Sequence, residues 1–297
     1  MPRVRLLSRP DFCEQRSPGG GFAKPGDSWN RFPFWAAQLK AFSLWWGYSN
    51  QGTYYVREFF NTASMNDTTY FLITNIIDRF FWKGKLLGAE NLPKSGPAVF
   101  VANHIGPKGP IGAVCSIHLR FYPWIIADMV DKRLASDYLR IDFVESSLRL
   151  RPPLSQWTAK AISLISVPML TSLGCVPVHR GEYDDIQNTL QDSLALLKEG
   201  KIVLVFPEEP NLELDPQTKM RPFLKGFTRL GELFFEGTGG ILCFYPVAIH
   251  ETKKVMVGKP IPFNSDHPYE LERHRLKDLL EKEIRGMYLE MDMGDAS

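Results

Sequence analysis

The stretch Asp184-Asp-Ile-Gln-Asn-Thr-Leu-Gln-Asp-Ser-Leu-Ala-Leu-Leu-Lys-Glu-Gly-Lys-Ile-Val-Leu-Val-Phe206 decides the fold class. Its first part puts Ile186, Leu190, Leu194 and Leu197 at 4-4-3 spacing, one face of a helix. Gly200 then stops that helix, because a left-handed turn at a helix end favours a residue without a Cβ. Lys201 to Phe206 follows as a short continuous apolar run, the pattern of a strand buried on both faces.

The same alternation extends outward. Ala98-Val-Phe-Val-Ala102, Tyr122 to Ala127 and Cys175-Val-Pro-Val178 read as further buried strands. Ile241 to Ile249 and Lys254 to Val257 follow as two more. Phe223, Phe227, Leu230 and Phe234 repeat a helical spacing closed by Gly237. The end, Tyr269 to Met291, is a charged helix with Leu276, Leu280 and Ile284 on one stripe. Strands alternating with helices predict an α/β chain, an αβα sandwich around a mixed, largely parallel sheet with an N-terminal helical element.

Composition agrees with a chain that buries a core. Hydrophobic residues make up 44% and charged residues 23% of 297, which excludes disorder as the dominant state. Thirty-five basic against 33 acidic residues leave a net charge of +2, so no nucleic-acid partner is expected. The cysteines Cys13, Cys115, Cys175 and Cys243 are scattered, without a CxxC or a nearby histidine pair. Neither a disulfide scaffold nor a zinc site is expected from them, and no metal site is expected elsewhere.

Three regions are expected. Residues 1–28 are rich in Gly, Pro and Arg and read as a poorly ordered arm. Their basic residues come without an apolar run, so they are not expected to be a secretory signal. Residues 29–82 carry most of the aromatics, with Arg31, Lys40, Arg57, Arg79 and Lys83 interleaved or bordering. They read as two or three helices, either a layer on the core or an interfacial pair that dips into lipid. Residues 83–291 form the α/β domain. The uncharged run Ala161 to His179 reads as a buried helix and a strand, not as a membrane span.

Polar residues gather at strand ends. Asn103-His104 follows a buried strand and opens a Gly/Pro turn, a frequent address for chemistry in open α/β sheets. Phe206-Pro-Glu208-Glu209-Pro210 ends the clearest strand. Val178-His179-Arg180-Gly181 ends another, and an Arg there suits a phosphate. Arg221 and Lys225-Gly226 add positive charge. No G-x-S-x-G elbow and no G-x-G-x-x-G after a strand is present, which argues against a hydrolase triad and a dinucleotide fold.

The order of these blocks resembles the glycerolipid acyltransferase superfamily, 1-acyl-sn-glycerol-3-phosphate acyltransferase-like. The resemblance runs from Gly84-Lys-Leu-Leu-Gly through Gly-Pro-Ala-Val-Phe-Val-Ala-Asn-His104. It continues with Gly174-Cys-Val-Pro-Val-His-Arg-Gly181, Val205-Phe-Pro-Glu208, Arg221-Pro-Phe-Leu-Lys-Gly226, Tyr245-Pro-Val-Ala-Ile249 and Val257-Gly-Lys-Pro-Ile261. It implies transfer of a fatty acyl group to a glycerophosphate or lysophospholipid hydroxyl. Acyl-CoA or acyl carrier protein would be the co-substrate, with no bound cofactor. Further implications are a lipid substrate and a peripheral site on the cytoplasmic face of a membrane. His104 would be the general base, Asn103, Arg180, Gly181, Glu208 and Glu209 would serve substrate binding, and Lys225 would add to an anion site.

Two departures fall on the chemistry. The family's Asp five positions after the His is Gly109 here. Removing the orienter of a catalytic His costs about 10^4 in rate in the serine-protease precedent. The third block normally continues Gly-Thr-Arg-Ser, but here Glu209-Pro-Asn-Leu212 follows Glu208. Extra sequence near 131–165, with Arg149-Leu-Arg151 and Trp157, separates the first two blocks. Asp128, which ends the next apolar strand, is the expected replacement orienter, with Asp131 and Glu209 behind it. Besides a working transferase, the residues allow a catalytically impaired lipid or acyl-thioester binder, or a thioesterase-like hydrolase.

Overall fold

The computed structural model describes residues 65–293, except 107, 147 and 180–182. The 1–28 arm, residues 29–64 of the aromatic element, and Arg180 and Gly181 lie outside the described residues.

The last part of the aromatic element is helix α1, Asp67–Ile77, which runs into a π-helical turn, Asp78–Trp82. Asn66 caps it, its side chain accepting the Thr69 N–H at 2.8 Å. The remaining elements are β1 (Lys85–Leu87), β2 (Ala98–Ala102), α2 (Lys108–Ser116), β3 (Phe121–Ile126), α3 (Ala135–Leu139), α4 (Leu154–Leu173), β4 (Val176–Val178), α5 (Tyr183–Lys198), β5 (Ile202–Val205), α6 (Arg229–Thr238), β6 (Cys243–Ile249), β7 (Lys254–Val257), β8 (Ile261–Pro262) and α7 (Tyr269–Met293). They alternate between β2 and α3 and between α4 and β6.

The strands form one mixed sheet in the order β1-β7-β6-β2-β5-β3-β4, with β8 also on β6. From β6 to β4 every pairing is parallel. Strands β7 and β8 run antiparallel to β6, and β1 is parallel to β7. The α/β class and the largely parallel mixed sheet are therefore as expected.

Side-chain alternation builds the sandwich. Along β2, Val99 and Val101 face a layer made by Leu190 and Leu197 of α5, Leu230 and Phe234 of α6, and Leu276, Leu280 and Ile284 of α7. Ala98, Phe100 and Ala102 face the other way, toward Trp82, Ala113, Ile117 and Phe121. Strands β2 and β5 are buried along their whole length, which is why they read as unbroken apolar runs. Gly200 takes φ 74° and, with Lys201, closes α5 onto the carbonyls of Leu197 and Leu196.

Two expectations are corrected. Residues 223–234 are not one helix. Pro222 has no N–H to give, the Phe223 N–H goes to Glu281 Oε2 at 3.1 Å, and the Leu224 N–H goes to the Pro207 carbonyl. The chain stays extended there, and α6 starts only at Arg229 after a 3-10 turn. The helix expected to be buried within 161–179 is α4, and its apolar stripe faces outward: Leu164 is 71% and Ile165 74% exposed. No described helix is long and apolar enough to cross a membrane.

The extra sequence between β3 and β4 is a helical insertion. Leu139, Val144 and Ala159 make a small core of their own with Met129, Phe143, Leu150 and Ile162.

Candidate active site at the C-terminal rim of the sheet

Because β4, β3, β5, β2 and β6 share one direction, their C-terminal ends share one rim. The residues singled out at strand ends converge there: His179 after β4, Asp128 after β3, Glu208 after β5 and His104 after β2.

His104 is exposed, and Phe206 meets its ring edge-on at 5.5 Å. Its backbone is fixed from two sides. Asn103, fully buried, donates from Nδ2 to the Ile249 carbonyl at 3.0 Å, and its Oδ1 accepts the Ile249 N–H at 2.7 Å. That amide is a clamp between the ends of β2 and β6. Its two bonded atoms serve the fold, which corrects the expectation that it faces substrate.

Glu208 supplies the second hold. Oε1 accepts the His104 N–H at 2.6 Å and Oε2 accepts the Arg221 N–H at 2.9 Å. Burial pushes this carboxyl above its ordinary value, against the two backbone donors and the charges of Arg221 and Arg285. Glu208 thus stitches the end of β2 to the return strand of the 207–224 loop. The loop is itself hairpin-like: Glu208 bridges Phe223, and the Glu209 N–H reaches the Pro222 carbonyl at 2.9 Å.

Helix α7 anchors this loop through residues the sequence did not single out. Glu281 accepts the Phe223 N–H while Lys277 and Arg285 hold it at 3.0 and 2.9 Å. Against the cost of burial, the Phe223 N–H first and then Lys277 and Arg285 hold its carboxyl below the ordinary value. Arg285 continues to Thr218 Oγ1 at 2.6 Å and Asp215 at 3.3 Å. The i, i+4 spacing of Lys277, Glu281 and Arg285 announces a helix-surface ladder. It does not announce that a loop amide plugs into the middle of it.

Other predicted residues fall elsewhere. The Glu209 carboxylate takes the Asn211 backbone and side-chain N–H groups, at 3.3 and 3.0 Å, in a local turn. Lys225 Nζ sits on Glu270 at 2.6 Å and His274 at 3.1 Å, so its charge is answered by α7. Asp128 is exposed, and among the described residues no hydrogen bond joins it to His104. It follows β3, two strands from β2, about 10 Å at the usual strand spacing. Asp131 pairs with Arg133 at 3.2 Å. None of these three carboxylates is seen orienting His104.

Gly109 lies in the first turn of α2, buried against the end of β2. A Cβ there would stand 3.3 Å from the His104 Cα and from the Asn103 carbonyl oxygen. The position is next to His104, but it carries no side chain.

Cys115 and Cys175 are buried free thiols that burial pushes up to about 12, so neither is a nucleophile at neutral pH. His250, at the end of β6, is buried and committed to Thr252 at 2.7 Å and Asp292 at 3.3 Å. A hollow of about 380 Å³ between Ile241, Phe263, His267 and Arg275 opens beside the start of β6, at the opposite rim from His104.

Residues 141–250 match the family model described as Acyltransferase. The match takes in His179, Glu208 and the Tyr245–Ile249 block, and begins after the block that ends in His104. No curated protein matches the chain. Among solved structures, the chain is similar to the 1-acyl-sn-glycerophosphate (LPA) acyltransferase PlsC from Thermotoga maritima. The identity is 16%, covering 86% of this chain and 89% of that one, with a TM-score of 0.45. Over residues 141–250 the chain thus resembles the Acyltransferase family.

Proposed function

We propose that this chain transfers a fatty acyl group from acyl-CoA or acyl carrier protein to a hydroxyl of a glycerophosphate or lysophospholipid-like acceptor. The observation that carries the reading is the setting of His104. It is exposed at the C-terminal rim, with its backbone N–H held at 2.6 Å by Glu208 from just past the neighbouring strand. The imidazole takes the acceptor's hydroxyl proton as the oxygen attacks the thioester carbonyl carbon. The C–S bond breaks, and the thiolate leaves with the proton from the imidazolium.

Arg180 and Gly181 come next in the sequence after His179 and are the proposed phosphate site; β4 itself, which ends at Val178, lies three strands from β2, about 14 Å at the usual strand spacing. An Arg suits an acceptor phosphate through its bidentate donors. Glu208 acts mainly through His104 and keeps lone pairs that can meet the acceptor. The organisation that goes with this reading is an arm over 1–28, an aromatic membrane-associating element over 29–82 and a catalytic domain over 83–291. The protein then sits peripherally on the cytoplasmic face of a membrane, the side where acyl-CoA and acyl carrier protein are found.

Gly109 favours a second reading, a relative that binds lipid or acyl thioester without turning it over. Thiol release from acyl-CoA and acyl-carrier-protein donors separates the two. The assay uses wild type and His104→Ala, with and without glycerol-phosphate and lysophospholipid acceptors. Acceptor-dependent release that His104→Ala abolishes supports the transferase. Acceptor-independent release means a thioesterase, and no release with either donor means the binder.

A further inference from the structure

Helix α4 is amphipathic the wrong way round for a helix packed on a water-soluble core. Its buried stripe, Ser155, Ala159, Ser163 and Val167, is small and half hydroxylic. Its outward stripe, Leu154, Trp157, Ala161, Leu164, Ile165 and Pro168, keeps one face by helical spacing and is apolar throughout. Trp157 is 76% exposed and Leu154 57%. In the same insertion Leu134, Ile141 and Leu148 are exposed as well. A contiguous apolar face of this kind needs something to cover it.

Charge says what covers it. Between Glu145 and Glu182 the chain holds no acidic residue, yet it carries Arg149, Arg151, Lys160 and Arg180. Arg149 and Arg151 are exposed just before the helix, and Lys160 is exposed beside its apolar stripe. The acidic residues of the preceding turns are largely answered within the insertion: Arg140 meets Asp137 and Glu145, and Arg133 meets Asp131. An apolar stripe with a Trp, bordered by cations and free of acids, matches the interior and headgroup layer of an anionic bilayer. The stripe spans residues 154–168, about 21 Å at the helical rise, which suits a helix lying in the surface plane.

We propose that α4 docks flat on an anionic lipid surface through Leu154, Trp157, Leu164 and Ile165, with Arg149, Arg151 and Lys160 on the headgroups. The residues of this surface are not those of the aromatic segment 29–82, and the proposal does not depend on the acyl-transfer reading. Helix α4 is part of the crossover from the C-terminal end of β3 to the start of β4, so its first turns lie on the His104 side of the sheet.

The test is flotation of the full-length protein with vesicles of phosphatidylcholine alone and of phosphatidylcholine with phosphatidylglycerol. Leu164→Glu combined with Ile165→Glu changes two exposed side chains, and circular dichroism verifies that the double variant is folded. The expected result is binding of wild type to the anionic vesicles, lowered about tenfold or more by the double variant. Arg149→Glu with Arg151→Glu is expected to weaken anionic binding and leave the fold intact. Undiminished binding of a folded Leu164→Glu, Ile165→Glu variant overturns the proposal, as does absent or equal binding of wild type to the two vesicle types. A wild-type dimer that the double variant splits into monomers also overturns it, by assigning the stripe to a second copy of the chain.

Discussion

Gly109 packs against the backbone of His104 so closely that a Cβ there would stand 3.3 Å from the His104 Cα. The first turn of α2 thus offers a side-chain position beside His104, the base of the proposed reaction, and leaves it empty. Whatever else the His104 ring touches, a carboxylate at this position adds a negative charge next to a developing imidazolium.

Gly109→Asp and Gly109→Asn fill the same space and differ in charge. Both need a shift of a few tenths of an ångström from the Asn103–His104 backbone. The carboxylate variant is expected to exceed the amide variant in kcat/KM by about tenfold or more, a modest fraction of the serine-protease precedent. The comparison is read by thiol release with a fixed acceptor. Equal rates for the two variants would show that position 109 does not act on the base.

Glu208 is expected to act through position more than through binding. Both carboxylate oxygens already take a backbone donor, from His104 and from Arg221. In Glu208→Gln one of those donors faces an NH2 group instead of an acceptor, and the end of β2 loosens. A shift near 1 Å in a catalytic group costs about 10^2 in rate, so kcat should fall about 10- to 100-fold with little change in acceptor KM. A rise in KM at constant kcat would assign Glu208 to the acceptor itself.

The strands β2, β5 and β7, helix α7 and the rim were legible because buried strands read as short apolar runs and the polar residues gather where those runs end. What was not legible arises from contacts distant in sequence. Nothing in Asn103 says that its amide locks onto Ile249, 146 positions on. Phe223 fits a helical spacing with Phe227 and Leu230, but its N–H belongs to Glu281 of α7. Lys225 looks like an anion-site cation until Glu270 is brought to it. The α4 error had a different cause: an apolar period gives a stripe, but not which side of the stripe faces the core.

Gly112, one turn beyond Gly109, is expected to resist a change that helix propensity favours. Alanine there gains about 1 kcal/mol over glycine in an open helix. Its Cβ would, however, meet the Trp82 ring at 2.6 Å and Ile249 Cγ2 at 3.2 Å. Trp82 cannot yield easily, being buried and tied through Nε1 to Ser116 Oγ at 2.7 Å. Overpacking of this kind costs about 1–3 kcal/mol, so Gly112→Ala should lower the urea midpoint. An unchanged or raised midpoint would mean the ring is free to move.

Asp192 gives the chain a pH dependence whose sign follows from burial. Its carboxyl, on α5, is pushed from an ordinary 3.8 to about 6 by burial alone. Between those values the folded chain holds a proton that the unfolded chain has lost. Stability from this group is therefore unaffected below about pH 4, falls as pH rises toward 6, and stays lowered above it. Glu208, also raised by burial, adds in the same direction. Asp192→Asn removes the larger, unpartnered part. Asp192 keeps some solvent contact, so screening reduces the gain at pH 7.5 to about 1 kcal/mol, about 2 °C in Tm. At pH 4 wild type and variant should melt together. Thermal melts across that range check the sign directly: a variant stabilised at pH 4, or destabilised at pH 7.5, would mean that the Asp192 carboxylate has a favourable partner in the folded chain.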